Sequence, residues 1–158
     1  MTNREKYNFD YFTISHYREL VQLAKDQGFQ FILHKDEFVP ERKDIIWRHD
    51  VEFSPDIALQ MAEIEYELGV RATYFFQMHS EFYNILERYM SDILRKLQSL
   101  GHHIGLHYDS HYYDVQDEET LERTIRQDKA YFEQVFGFEL DTFSFHETTP
   151  FILGCEKD

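Results

Sequence analysis

The sequence predicts an α/β protein, a parallel sheet built from alternating β/α units. Three observations carry this. Short apolar runs alternate along the chain with longer segments of helical period. Glycines at 28, 69, 101 and 137 each close one of those helical segments. Histidines and acidic residues follow the apolar runs, where parallel α/β sheets gather their functional groups.

The elements follow in order. Thr13 or Ser15 caps a first helix, in which Ile14, Tyr17, Leu20, Val21 and Ala24 recur at helical spacing up to Gly28. Phe29 to Leu33 reads as a short strand, and residues 34–44, polar and carrying Pro40, as a loop. Ile45 to Arg48 is the next strand. Ser54-Pro55-Asp56 then supplies a cap, a first-turn proline and a dipole-complementing acid for a helix closed by Gly69. Arg71 to Met78 is an aromatic-rich strand. Phe82 to Leu100 keeps an apolar three-and-four spacing and reads as one helix ended by Gly101. Strand His103–His107 follows directly, and His102 is expected to cap the preceding helix end. Asp114–Asp117 leads into a fourth helix ending at Gly137, and Thr142 to His146 is the last strand. Two regions are expected: residues 1–44, a helix and short strand packing on the main body, and residues 45–158, the β/α body itself.

Composition excludes several classes. The chain has 158 residues, enough for one domain with a real core. Sixteen basic against thirty acidic residues give a net charge of −14, which repels nucleic-acid phosphates and anionic membranes. No apolar run has the length of a membrane span, and Met1 to Tyr7 offers no apolar signal core. Cys155 is the only cysteine, which fits a reducing cytoplasm.

The expected strand ends carry His49, Asp50, His79, His107, His111 and His146. Imidazoles with one carboxylate suit zinc or another first-row divalent ion, and three protein ligands leave a position for water. The reading is that Asp50, His107 and His111 hold the ion and that His49 takes a proton. His107 and His111 alone, four apart in a polar loop, are equally two solvated surface histidines; the second cluster at His49-Asp50 favours a site. Tyr112-Tyr113 fits either a sugar groove or a hydrophobic flank.

Four stretches together resemble the polysaccharide deacetylase superfamily, the NodB-homology group that includes carbohydrate esterase family 4. They are Arg48 to Ser54, Ala72 to Phe76, Gly101 to His107 and Phe143 to His146. The resemblance runs from about Ile45 onward and is nearest to a branch found with surface-polysaccharide biosynthesis. It implies a distorted (β/α)7 barrel, here partial, and metal-dependent removal of acetyl groups from N-acetylated sugars. The family's metal aspartate matches Asp50, its base position holds His49, and its two metal histidines match His107 and His111. The place of an arginine that supports the base holds His146. Arg48, Tyr108 and Tyr112 are expected to touch the sugar. The family barrel continues past these motifs, so an open edge here would favour self-association.

The function expected is thus a zinc-dependent carbohydrate deacetylase. The main rival is a non-catalytic sugar-binding or assembly protein that keeps the fold. A different amide or phosphoester hydrolase ranks lower, because Arg48 and Arg71 are the only evident basic groups for a phosphate.

Overall fold

The computed structural model describes residue 6 and residues 13–155. Apart from Lys6, the stretch Met1 to Tyr7 lies outside the described residues. Helix α1 (Ile14–Asp26) is capped by Thr13, whose hydroxyl accepts from the His16 N–H at 3.1 Å. Strand β1 (Gln30–Ile32) pairs in parallel with β2 (Asp44–Ile46). One residue later, past Trp47, β3 (Arg48–Val51) begins a second parallel sheet. Helix α2 (Pro55–Glu67) follows with Ser54 as its cap, then β4 (Thr73–Phe76). Helix α3 (Arg88–Ser99), β5 (His103–Asp109), α4 (Glu118–Phe136) and β6 (Phe143–His146) complete the alternation. A short α5 (Pro150–Gly154), capped by Thr149, was not anticipated.

The second sheet has the order β3-β4-β5-β6, all parallel, and curls into a half-barrel. The α/β parallel class expected from the sequence is the class observed. The helix expected over 82–100 is shorter, starting at Arg88. Asn84 explains the delay: its side-chain oxygen accepts from the Leu86 N–H and its carbonyl from the Glu87 N–H, a local turn that competes with helix. His102 does not cap α3. It is buried, its Nε2–H donates to the Ala62 carbonyl at 2.9 Å, and its Nδ1 accepts from the Ala72 N–H at 3.2 Å.

Alternation along the strands decides which side chains can meet. Val51, Tyr74, Phe76, Ile104, Leu106 and Tyr108 pack under the helices, against Ala58, Ala62, Leu94, Leu97 and Phe132 among others. Asp50, Phe75 and Gly105 share one cross-strand row on the other face, and His107 pairs with Ser144 on the same side. Gly105 is required there. A Cβ at this position would lie 2.5 Å from two ring carbons of Phe75, which is 1% exposed.

Candidate metal centre

The C-terminal ends of β3, β5 and β6 bring together Glu52, His107 and His146. Glu52 follows β3 by one residue, His107 lies within β5, and His146 ends β6. Oε1 of Glu52 is 3.1 Å from Nε2 of His107 and 3.0 Å from Nδ1 of His146. One ligand atom from each residue lies within 4.8 Å of the others, and among the described residues this is the group able to hold a metal ion. The two imidazoles meet edge to face, with centroids 5.2 Å apart.

His107 has a partner outside the cluster that orients it. Nδ1 of the buried His107 is 2.8 Å from Oγ of Ser144, its cross-strand neighbour. A hydroxyl both donates and accepts, so Ser144 serves His107 in either tautomer. Burial pushes the His107 pKa down, against the raising effects of Glu52 and Asp50. Burial alone would raise that of Glu52, but hydrogen bonds from His107 and His146 outweigh it and hold the carboxylate below its ordinary range.

The donor set fits a divalent first-row ion: two imidazole nitrogens, one carboxylate, and a second-sphere hydroxyl on a histidine. Ligands about 2.1 Å from a tetrahedral ion stand about 3.4 Å apart, close to the separations here.

Several expected residues lie elsewhere. His49 faces the helices, where its Nε2–H donates to Glu65 at 2.6 Å, so it does not reach the cluster. Neighbouring residues on a strand point to opposite faces, and His49 and Asp50 therefore cannot share one site. Asp50 is on the cluster's face but outside the group, held by Arg48, whose guanidinium donates to its Oδ1 at 2.8 Å. Arg48 also lies over the Phe75 ring, 4.9 Å from its centroid. His111, half exposed, stands beside Asp109 and Glu147 at 3.5 and 3.9 Å. Tyr108 is fully buried on the helix side, its hydroxyl 2.5 Å from that of Thr124, so it cannot touch a sugar. Tyr112 is exposed and stacked on His79 with centroids 3.6 Å apart. Glu52 and Ser144 are the residues the sequence reading missed. The available signal was the period of two: Arg48, Asp50 and Glu52 share a face.

No protein-family model and no curated protein matches the sequence. Solved structures do match. IcaB from Ammonifex degensii superposes with a TM-score of 0.67 at 13% identity, over 90% of this chain and 70% of that one. This chain has the polysaccharide deacetylase fold. A family 4 carbohydrate esterase from Bacillus anthracis matches at TM-score 0.52 and 20% identity, over 79% of this chain. The chain spans 56% of that esterase. Among the described residues no helix is long and apolar enough to cross a membrane.

Proposed function

We propose that this protein is a metal-dependent carbohydrate deacetylase whose ion, zinc on the chemistry of the donor set, is held by Glu52, His107 and His146. The observation that carries the reading is the Glu52 carboxylate oxygen set between two imidazole nitrogens at 3.1 and 3.0 Å. Its place at the strand ends of a deacetylase-type sheet supports the same reading. A bound ion supplies Lewis acidity toward an acetamide carbonyl and acidifies water.

The chain's own groups supply the rest. Asp50, on the same face one step down β3, is the residue to accept the proton from the attacking water. Arg48 holds that carboxylate in place, the support the family resemblance leads one to expect for a base. His107 is kept in position by Ser144. Tyr112, exposed at the rim, remains a sugar contact, and His111 an outer polar group. The single Cys155 suits a reducing compartment, and a cytoplasmic location and self-association belong to the same proposal.

Acetate release from N-acetylglucosamine oligomers, with and without added zinc, tests this. Zinc-dependent release that is lost in both Glu52→Gln and Asp50→Asn is the expected result. Release unaffected by chelator, or by Glu52→Gln, would refute it.

A second reading is a sugar-binding protein without turnover. It draws on one observation: the expected base, His49, is turned away into a bond with Glu65. Zinc and sugar binding without any acetate release would select it.

A further inference from the structure

Asp50 and Glu52 belong to the edge of the sheet. Among the described residues β3 pairs with β4 alone, in a register that ends at Val51 opposite Phe76. Glu52 lies one residue past that last pair. A strand bonded along one side only has half of its ladder, yet a metal ligand must be held to within about 0.5 Å. Support for β3 has to come from outside the ladder.

It comes from the opposite face, where His49 points. The His49 Nε2–H donates to Glu65 at 2.6 Å, and its ring lies against that of Tyr74 with centroids 4.7 Å apart. Glu65 is carried by α2, has no solvent exposure, and accepts from Tyr17 and Tyr74 as well. Two further bonds hold the residues that follow. The Tyr83 hydroxyl donates to the Val51 carbonyl at 2.8 Å, and the Ser80 hydroxyl donates to the Glu52 carbonyl at 3.4 Å. Consecutive strand residues take opposite faces, so a tether at His49 fixes the height and rotation of the backbone that presents Asp50 and Glu52.

We propose that Glu65 is a positioning residue for the metal centre: through His49 it sets where β3 presents Glu52 to His107 and His146, a role that rests on the metal reading above. His49, at the place where the resemblance puts a base, is then an anchor on the far face and takes no proton from water. A network that only stabilised the fold would leave the zinc affinity of the folded variants unchanged. A tether lowers that affinity when it is cut and restores it when a donor is put back.

Competition of the full chain with a chromophoric chelator for zinc tests this, with folding of each variant checked by circular dichroism. In His49→Leu zinc affinity should fall about tenfold. His49→Gln, whose amide N–H can still donate to Glu65, should return to within about twofold of wild type. Glu65→Gln keeps the size but offers a weaker, neutral acceptor, and should lower affinity about three- to fivefold. Hydrogen exchange of the zinc-free protein gives a second readout: the β3 amides bonded to β4 should exchange faster in His49→Leu and recover in His49→Gln, with β5 unchanged. Wild-type zinc affinity in a folded His49→Leu overturns the positioning role and leaves the metal centre standing, as does a loss equal in His49→Leu and His49→Gln. If His49→Leu does not fold, Glu65→Gln decides by the same measure, and unchanged affinity there overturns the role. A wild-type chain that binds no zinc removes the metal reading itself, and the positioning role with it.

Discussion

Nε2 of His107 lies 3.1 Å from Oε1 of Glu52, although the two residues are 55 positions apart. A carboxylate that already accepts from two imidazoles has few better uses than to share them with a cation. Glu52→Gln keeps the size and one acceptor, so the fold should persist. Zinc affinity should fall by more than about a hundredfold, since even second-sphere changes reach that range. Competition with a chromophoric chelator measures it, and unchanged zinc binding would remove Glu52 from the centre.

Ser144 reaches the ion only through His107. In Ser144→Ala the ring loses its Nδ1 partner and is no longer held in one orientation. Zinc affinity should drop about tenfold. Stability should change by only about 1 kcal/mol, the net worth of one hydrogen bond. Chelator competition and urea unfolding on the same samples separate the two effects; a loss of stability with full zinc affinity would make Ser144 merely structural.

Much of this architecture was legible, and its gaps have one cause. Caps and closing glycines marked the helices, as Thr13, Ser54 and Gly137 illustrate. The alternation of strands and helices implied the parallel sheet, and His107 and His146 were placed at its strand ends. What failed was the treatment of adjacent strand residues as partners. His49 beside Asp50, and Tyr108 beside His107, were read into one site although a strand turns neighbours to opposite faces. The same rule, applied forward from Asp50, leads to Glu52. The overlong helix before Leu100 is a different error: apolar spacing continued through Phe82, Ile85 and Leu86, but a turn at Asn84 took those residues out of helix.

Gly105 offers a test of packing beneath the site. The added methyl in Gly105→Ala meets the Phe75 ring at 2.5 Å, and that ring is buried. The expected loss is about 1–3 kcal/mol, the usual effect of overpacking. Phe75→Leu in the same chain should recover part of it by vacating the ring's position. Urea midpoints of the two variants decide: an unaffected Gly105→Ala would mean that Phe75 moves freely.

On the helix side, Glu65 has no solvent exposure and binds three elements together. Tyr17 of α1, His49 of β3 and Tyr74 of β4 all donate to its carboxylate, Trp47 donates to the Tyr17 oxygen, and the buried His102 ring stands 3.6 Å away. Burial raises the Glu65 pKa, but the bonds from His49, Tyr17 and Tyr74 outweigh it and leave the group below its ordinary value. A carboxylate depressed on folding contributes stability that is full above its unfolded pKa of about 4.3 and is lost as pH falls through the folded value. Glu65→Gln should therefore cost about 1–3 kcal/mol at pH 7, and Glu65→Ala about 3–5 kcal/mol because the donors lose their common acceptor. The gap between wild type and Glu65→Gln should stay constant from pH 7 to about pH 5 and narrow below about pH 4. Urea unfolding across that range reads the gap directly, and curves that remain parallel down to about pH 3 would mean that folding leaves the Glu65 pKa unshifted.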